Sequence, residues 1–248
     1  MNSLNNQNVL VTRAKEQATV FADKIHQFGG NAWIADVTRI TCTSKGMENI
    51  QLYSYEWVFF TSANGVHCFF NNMKTSATLK NIHIAVVGEK TNQALMQYGR
   101  TADFIPSTYN ARTMANEFLK RCTVTGRMLL VRGSKARPEL VDAFSNANKV
   151  FDLLEVYKTE KNDAAKGKLN WIFERVVPDY ITFTSPFAVT AFNDLFQMSL
   201  TTEPVVVCIG TTTALEAEKK GWNHIIVPEK FTIEGMLELM CRHAQQGR

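Results

Sequence analysis

The sequence lacks the features that define several large protein classes. No window is apolar over the length that a membrane-spanning helix needs, and the first residues, MNSLNNQNVLVTR, contain no apolar core of a signal peptide. No G-x-G-x-x-G follows a predicted strand, and VGEKT at 87–91 lacks the upstream glycine of a P-loop. We therefore expect neither a membrane protein nor a secreted one, and no dinucleotide or P-loop site.

Charge and cysteine content exclude further classes. The formal net charge is only +4, and no run of Lys and Arg is interleaved with aromatic residues, so a nucleic-acid partner is not predicted. The five cysteines, Cys42, Cys68, Cys122, Cys208 and Cys241, are scattered and form no C-x-x-C pair. This pattern predicts reduced thiols in a cytoplasmic protein rather than disulfides or a zinc site. The five histidines show no metal-ligand spacing, so neither a metal nor a cofactor is expected.

Short apolar runs alternate with segments of helical periodicity. VLVT, WVFFT, ADFI, MLLV, YITFT and VVVCI are examples of the runs, and residues 15–28 and 113–121 of the amphipathic segments. Such alternation predicts βαβ units and parallel sheets, and the near-continuous apolarity of the strands indicates that helices cover both sheet faces. The 248 residues leave room for two modest domains. Two flavodoxin-like sheets are the simplest arrangement.

The second half of the sequence repeats the first. FTSANGV at 60–66 nearly recurs as FTSPFAV at 183–189, and AVVGEKTNQALMQYG at 85–99 parallels VCIGTTTALEAEKKG at 207–221. ADFIPSTYNARTMANEFL likewise parallels HIIVPEKFTIEGMLELM, and NVLVTRAKEQA resembles RMLLVRGSKARPEL. The period is about half the chain, much longer than a solenoid repeat. The sequence therefore indicates duplication of a whole domain.

Four repeated turns carry the strongest functional signal. FTSANG, FTSPFA, VVGEKT and CIGTTT each lie where a predicted strand ends and a helix begins. In open α/β sheets, ligands bind beyond the carboxyl ends of the strands. Any one of these turns is explained by helix capping alone. Four turns, paired between two domains, favour a cleft in which helix N-termini bind carboxylates or phosphates.

In order along the chain, VLVTRAKEQA, FTSANGV, VVGEKT, VRGSKARPEL, VYKTE, FTSPFAV and IGTTTALEAEKKG resemble the uroporphyrinogen-III synthase family. The resemblance extends from Val9 to about Met240. It implies a discontinuous first α/β domain, residues 1–36 and 160–248, and a second α/β domain, residues 40–156. Linkers near 36–40 and 155–160 would join the domains as a two-stranded connection. Asp36 stands where many relatives have proline.

The resemblance also implies a cofactor-free hydro-lyase reaction. Linear hydroxymethylbilane would lose its hydroxyl as water and close with ring D inverted, giving uroporphyrinogen III for tetrapyrrole and heme biosynthesis. Without an enzyme the bilane closes to the symmetrical isomer I, so the protein must mainly steer the reaction. A cytoplasmic monomer is expected, with transient contact to hydroxymethylbilane synthase, and with neither nucleic acid nor a membrane as partner.

Site residues follow from the matched motifs. Tyr157 in VYKTE matches a family tyrosine proposed to help the hydroxyl leave, and packing between domains is its alternative role. Arg13 and Arg132 each end a predicted strand and could bind carboxylates bidentately, or could be solvated loop residues. Arg137 is a weaker candidate, because its neighbours depart from the family pattern. The expected substrate-binding residues are Arg13, Ser62, Ala63, Asn64, Thr91, Arg132, Ser185, Pro186, Phe187, Thr212 and Thr213.

Two other functions remain open at the level of sequence. One is a two-domain protein that closes on a small anion without chemistry. The other is a flavodoxin-type FMN protein, against which neither FTS turn has the T-x-T-G-N-T pattern of a flavin phosphate loop. A colourless purified protein would exclude the second.

Overall fold

The computed structural model describes residues 3–73, 79, 81–136, 138–198, 200 and 202–246. Within that part of the chain, strands and helices alternate over most of the length. The strands are β1 (Asn8–Val11), β2 (Asn31–Ile34), β3 (Thr38–Cys42), β4 (Tyr55–Phe60), β5 (His83–Val86), β6 (Arg127–Gly133), β7 (Phe151–Lys161), β8 (Tyr180–Phe183), β9 (Val205–Cys208) and β10 (Ile225–Ile226). The helices are α1 (Lys15–Gln27), α2 (Ala63–Asn72), α3 (Glu89–Met96), α4 (Ala111–Arg121), α5 (Glu139–Asn146), α6 (Ala165–Phe173), α7 (Pro186–Leu195), α8 (Thr211–Lys219) and α9 (Ile233–Gln246).

The chain divides into two compact units. Unit 1 is Met1–Arg39 together with Glu160–Arg248, and unit 2 is Ile40–Thr159. Both boundaries fall inside strands, because β3 continues past residue 39 and β7 past residue 159. These two strands are neighbours in one sheet. The fold is therefore α/β, with two sheets and a first unit built from two separate segments.

The sheet of unit 1 has the strand order β10-β9-β8-β1-β2. All four of its pairings are parallel. Numbered along unit 1 alone, the order is that of flavodoxin, with the switch point between β1 and β8. Ligands of such sheets bind at that point, beyond the carboxyl ends of the strands.

The sheet of unit 2 has the order β3-β7-β6-β4-β5, with parallel pairings of β4 with β5, β4 with β6, and β6 with β7. Its switch point lies between β4 and β6. The run ADFI, predicted as a strand, forms only an isolated bridge between Ala85 and Phe104. That prediction is wrong because the Asp103 carboxylate accepts the Ile84 N–H and Pro106, two residues beyond Phe104, has no N–H for a ladder.

Apolar side chains pack on both faces of each sheet, as the continuous apolarity of the strands predicted. In unit 1, Leu10 and Ile181 join the cluster beneath α6, α7 and α8, whereas Val9 and Val11 join the one beneath α1 and α9. Side chains alternate between faces along a strand, so neighbouring residues serve opposite clusters. Unit 2 has the same two-sided core. Because helices cover both faces of each sheet, a ligand can approach the strands only at an edge, such as the carboxyl edge.

The helices end where the repeated sequence has glycine. Gly99 follows α3 with a φ of +71°, and Gly221 follows α8 with a φ of +89°. Only glycine adopts this left-handed conformation without a steric penalty, and it commonly ends helices. The closing glycine of each repeat is therefore a helix stop.

Cys42 and Cys68 form a disulfide, with their Cα atoms 5.2 Å apart. The prediction that all cysteines are reduced thiols is wrong for this pair. The two residues are 26 positions apart, and only the fold places the end of β3 beside α2. Cys122, Cys208 and Cys241 are free, and burial raises the pKa of the Cys208 thiol to about 12.

Among the described helices, none combines the length and the apolar composition needed to cross a bilayer.

We propose that residues 40–156 fold as an independent domain. The excised fragment is expected to unfold cooperatively in urea, followed by circular dichroism, because it retains β4, β5, β6, the first part of β7 and the helices that cover them. A fragment of residues 1–122 is the control and should not fold, because it contains β1 and β2 without β8 and β9. Limited proteolysis of the full chain into stable 1–122 and 126–248 products would contradict the proposed division.

Candidate active site

Two serines cap the helices that follow the central strands. Ser62 Oγ accepts the Gly65 N–H at 3.1 Å where α2 begins, and Ser185 Oγ accepts the Ala188 N–H at 3.1 Å where α7 begins. Their backbones are nearly identical, with φ and ψ of −162° and 156° at Ser62 and −162° and 154° at Ser185. Such a cap stabilises a helix by about 1 kcal/mol. The capping explanation is thus correct for both serine oxygens, while the other first-turn amides lack an intrahelical acceptor.

Glycines begin the next helix of each unit. Gly88 precedes α3 and Gly210 precedes α8, and the structure records no side-chain cap at either position. An added Cβ would lie 2.7 Å from Cγ of Tyr109 at Gly88 and 3.4 Å from the ring of Phe231 at Gly210. Both rings are exposed, by 63% and 58%. Each unit therefore presents uncapped helix amides beside an exposed aromatic ring.

The predicted threonines occupy the first turns of these two helices. Thr91 in α3 and Thr213 in α8 are both buried, 4% and 1% exposed, and Thr212 is exposed. Their helices start at the carboxyl ends of β5 and β9. The threonines therefore lie at the same edge of each sheet as the serine caps.

A cavity of about 580 Å³ opens at the carboxyl edge of unit 2. The turns after β4, β5 and β6 all contribute to its wall, as do the start of α4 and the middle of β7. Its polar lining residues include Ser62, Asn110, Arg112, Lys135, Glu139 and Tyr157. This is the position at which the strand order predicts a ligand.

A larger cavity of about 750 Å³ lies elsewhere in unit 2, against residues such as Met47, Ile50 and Phe69. Its lining is mostly apolar, and none of the residues at the strand-to-helix turns after β4, β5 or β6 contributes to it. The smaller cavity is therefore the better candidate for a site that binds carboxylates.

Tyr157 reaches the cavity because β7 contains an irregularity. The register of β6 against β7 pairs Arg132 with Glu155 and then Gly133 with Tyr157, which leaves Val156 as the extra residue. A bulge of this kind re-aims the side chain that follows it. The half-buried Tyr157 hydroxyl lies 3.0 Å from Ser62 Oγ. Its ring packs so closely on Gly133 that an added Cβ would lie 2.5 Å from Cζ.

The two predicted arginines, Arg132 and Arg13, differ in the hydrogen bonds that their guanidinium groups make. Arg132 donates from Nη2 to the Ala136 carbonyl at 2.6 Å and so stabilises the turn after β6. Arg13 donates from Nη2 to Gln17 at 2.8 Å, while its buried Nε has no hydrogen-bond partner among the described residues. Burial lowers the pKa of Arg13 from its usual value. Arg137 lies outside the described residues.

Residues that the sequence patterns did not single out also face the cavity. Arg112 lies in the first turn of α4, two residues after Asn110. The Asn110 side chain accepts the Thr113 N–H at 2.8 Å and caps this helix. Lys135 lies in the turn after β6, and Glu139 has a buried Oε2 with no hydrogen-bond partner in the described structure. A sequence signal existed, since these residues lie in turns at predicted strand or helix ends. The positive charges of Arg112 and Lys135 favour an anionic ligand. The Glu139 carboxylate repels an anion at its own end of the cavity.

At the switch point of unit 1, two buried threonines join β1 to β8. Thr12 Oγ1 donates to the Thr182 carbonyl at 2.7 Å, and Thr182 Oγ1 donates to the Leu10 carbonyl at 3.0 Å. Arg13 follows Thr12 directly. Pro186 occupies the first turn of α7, where its missing N–H costs no helix bond, so it contributes no donor there. Phe187, the next residue, is half-buried.

The structure thus places the predicted residues at the carboxyl edges of their own sheets. Unit 1 gathers Arg13, Ser185, Pro186, Phe187, Thr212 and Thr213, and unit 2 gathers Ser62, Ala63, Asn64, Thr91, Arg132 and Tyr157. In the described part of the chain, no three His, Cys, Asp or Glu side chains converge as metal ligands.

Comparison with protein families identifies one match over most of the chain. Residues 19–238 match the family model of uroporphyrinogen-III synthase HemD. A Methanocaldococcus jannaschii protein, provisionally named a uroporphyrinogen-III synthase, is 33% identical over 241 residues, which cover 94% of this chain and 97% of that protein. A porphyrin biosynthesis protein HemD of Ruminiclostridium josui is 31% identical over 93% of this chain, which spans only 47% of that longer protein.

Solved structures share the fold. A uroporphyrinogen-III synthetase of Helicobacter pylori superposes with a TM-score of 0.69 at 18% identity, covering 98% of this chain and 100% of that one. A mutant uroporphyrinogen III synthase of Thermus thermophilus gives a TM-score of 0.59 at 16% identity, with coverage of 98% and 100%. At these identities the likeness concerns the α/β fold alone.

The Thr12 hydroxyl is expected to stabilise unit 1. Thr12→Val keeps the side-chain shape but leaves a buried carbonyl short of a donor, which should lower the free energy of unfolding by about 1–3 kcal/mol. Thr19→Val is the matched control, because the Thr19 hydroxyl donates to the Lys15 carbonyl on an exposed helix face. Urea titration measures both variants, and equal losses would contradict a special role for the buried bond.

Proposed function

Because the chain belongs to the uroporphyrinogen-III synthase family, we propose that it cyclises hydroxymethylbilane to uroporphyrinogen III, with inversion of ring D and loss of water. The family match over residues 19–238 is the observation that carries this proposal. The family's step belongs to tetrapyrrole biosynthesis. The reaction class is a hydro-lyase, and the chemistry needs no cofactor, because the substrate itself supplies the leaving group and the nucleophilic carbon.

The substrate is already reactive, so the protein has to select one product. The hydroxymethyl group sits on a pyrrole carbon, and the ring nitrogen lone pair helps to expel it. The unaided bilane closes to isomer I. Holding a flexible substrate in one orientation is therefore the main requirement, and positioning of this kind contributes a large part of many rate enhancements.

Helix N-termini are proposed to bind the carboxylates of the substrate. The bilane carries eight acetate and propionate groups, and each unit offers amides at its carboxyl edge. In unit 2 the donors are the backbone N–H groups of Ala63 and Asn64 and those at the start of α3 that precede Thr91, whose own N–H donates to the Gly88 carbonyl at 3.0 Å. The positive end of a helix dipole favours such anions without a lysine. Arg112 and Lys135 add charge at the cavity of unit 2.

Unit 1 offers the same kind of donor with one difference. Because Pro186 has no N–H, the first useful amide of α7 is that of Phe187. The start of α8, up to the N–H of Thr212, provides the second set of amides, because the Thr213 N–H donates to the Gly210 carbonyl at 3.1 Å. The Nε of Arg13, which has no hydrogen-bond partner within the described part of the chain, is a further donor, and a carboxylate would satisfy it.

Tyr157 is proposed to protonate the departing hydroxyl. Its phenol is half-buried in the wall of the unit 2 cavity, where it can reach a bound ligand. As the carbon–oxygen bond breaks, the phenol proton completes the water molecule that leaves. The closed macrocycle then loses a proton, which returns the Tyr157 phenolate to the phenol. The position of the hydroxyl in the cavity favours this role over packing alone.

We also propose an oligomeric state, a partner and a location for the protein. A monomer with transient contact to hydroxymethylbilane synthase suits an unstable substrate. A cytoplasmic location suits the biosynthetic step, although the Cys42–Cys68 disulfide weighs against it, because disulfides are rare in reducing compartments. The family match does not favour the anion-binding and flavin-binding alternatives.

Tyr157→Phe is expected to slow turnover by about 10²-fold or less while the product remains mostly isomer III. A positioned general acid typically contributes about 10²–10⁴-fold, and the good leaving group places this case at the low end. The assay supplies freshly made hydroxymethylbilane and measures its consumption and the ratio of isomer III to isomer I.

Tyr55→Phe is the matched control for Tyr157→Phe. It removes a hydroxyl that donates to Asp152 at the opposite end of β4. An unchanged rate and isomer ratio in Tyr157→Phe would favour the packing role. Mainly isomer I at an unchanged rate of consumption would make Tyr157 a steering residue instead.

Thr213→Val should lower kcat/KM by roughly 10-fold or more, because a hydrogen bond to a charged group contributes about 1.5–3 kcal/mol. Valine preserves the shape of this buried side chain, so a loss of activity without a loss of stability isolates the hydroxyl. The same assay applies, with Thr19→Val as the control. Parental activity of Thr213→Val would exclude a role for its hydroxyl.

A further inference from the structure

We propose that Ser62 is a positioning residue that donates a hydrogen bond to Tyr157, so that the phenol proton points into the cavity, and that Gly133 provides the space in which the tyrosine ring takes this position. The inference rests on the proposed function, in which Tyr157 is the acid. It changes the role expected for Ser62 from a substrate contact to a residue that acts through Tyr157.

The direction of the bond follows from the hydrogen-bonding capacity of serine. A serine hydroxyl has one proton and two acceptor lone pairs. The Gly65 N–H occupies one lone pair of Ser62 at 3.1 Å, so the hydroxyl proton still needs an acceptor. Among the described residues, Tyr157 Oη at 3.0 Å is the acceptor that the structure provides. Either hydroxyl can donate at this distance; in the proposed arrangement Ser62 is the donor, which leaves the proton of Tyr157 for the ligand.

The opposite direction is less favourable. If Tyr157 donated to Ser62, its proton would be held in the cavity wall. The Ser62 proton would then lack the one acceptor recorded for it in the described structure. Ser62 and Tyr157 are both half-buried and both line the cavity, so the proton that is not used between them faces the ligand, and the proposed acid has to be the residue that keeps it.

The hydrogen-bond chain also supports Tyr157 after it has given up its proton. The chain runs from the Gly65 N–H through Ser62 to Tyr157 and begins at the N-terminus of α2, the positive end of the helix dipole. Linked hydrogen bonds polarise one another, and a bond to a charged acceptor is stronger than a neutral one. Ser62 is thus placed to stabilise the phenolate that the reaction transiently forms.

Gly133 controls where the tyrosine ring can lie. A Cβ at this position would come within 2.5 Å of Cζ and 2.9 Å of Oη of Tyr157. The β-bulge sets the two residues opposite each other. Because the clash would involve the tip of a long side chain, Gly133→Ala should displace the hydroxyl and leave the fold intact.

Unit 1 contains the same cap without the tyrosine. Ser185 accepts the Ala188 N–H with the geometry of Ser62, and among the described residues no second side chain is recorded on its oxygen. In the repeat, Ala14 stands where unit 2 has Gly133. A serine cap in this fold therefore does not require a tyrosine partner. The Ser62–Tyr157 contact is a feature that unit 2 has beyond the cap itself.

A double-mutant cycle tests the proposal on the full chain with freshly made hydroxymethylbilane. Glycine is tolerated at an N-cap with little loss of stability, so Ser62→Gly removes the hydroxyl and retains the helix. We expect Ser62→Gly to lower kcat by roughly 10-fold, the scale of a charge-assisted hydrogen bond, with KM changed much less. Combined with Tyr157→Phe, it should cost nothing further.

Three other variants sharpen the result. Ser62→Thr keeps the hydroxyl and should restore most of kcat. Ser185→Gly is the matched loss of a cap in unit 1, and its effect, whatever its size, should multiply with that of Tyr157→Phe. Gly133→Ala should lower kcat like Tyr157→Phe and show no further loss when the two changes are combined.

Each outcome separates the inference from the function on which it rests. If Ser62→Gly multiplies fully with Tyr157→Phe, Ser62 does not act through Tyr157, and the inference is wrong while the acid role stands. If Gly133→Ala retains the parental kcat, the claim about the ring position is wrong. If Tyr157→Phe alone keeps the parental rate, the acid role itself fails and the inference fails with it.

Discussion

Parallel strands impose the constraint on which the rest of this structure depends. A helix must carry the chain back before the next parallel strand can begin, so every strand-to-helix turn of a sheet lies at one edge. The same turns contain the helix amides that have no intrahelical acceptor. In each unit the serine caps, the glycine starts and the arginines therefore meet at one edge. The chemistry of the site follows from this arrangement more than from any single charged residue.

Because of the duplication, the two units of the protein can be compared with each other. Ser62 and Ser185 cap their helices with the same geometry, and Gly88 and Gly210 both lie beneath an exposed aromatic ring. Shared features of this kind mark what both halves provide in the proposed mechanism, which is a surface that presents free helix amides. Tyr157 has no such counterpart. The asymmetry assigns the chemical step to unit 2 and leaves unit 1 with binding alone in the proposed mechanism.

The proposed reaction needs little chemical assistance from the protein, and this is consistent with a site that offers one phenol and backbone amides. The substrate loses its hydroxyl readily, so neither a strong acid nor a metal is required by the proposed reaction. What the reaction needs is one orientation of the bilane in preference to others. Backbone amides suit this task, because their directions are set by the helix and they lose little conformational entropy on binding. Flexible lysines would attract the same carboxylates with less control of direction.

Much of this protein was predictable from its sequence. Strand and helix alternation, the duplication and the caps are local or periodic, because each depends on neighbouring residues or on a short repeat of apolar positions. The family resemblance rested on the same turns. The isolated bridge at Phe104 already departs from that local pattern, since the Asp103 side chain competes for the strand amide.

Only the tertiary structure decided the features that join distant segments. The disulfide links residues 26 positions apart, and the Ser62–Tyr157 bond spans 95 positions. Arg112 and Lys135 share a cavity because the start of α4 and the turn after β6 lie at one edge of the sheet. The approach of Tyr157 to Gly133 depends on a one-residue shift in register. Sequence patterns carry no record of register or of side-chain proximity across strands, and the folded sheet sets both.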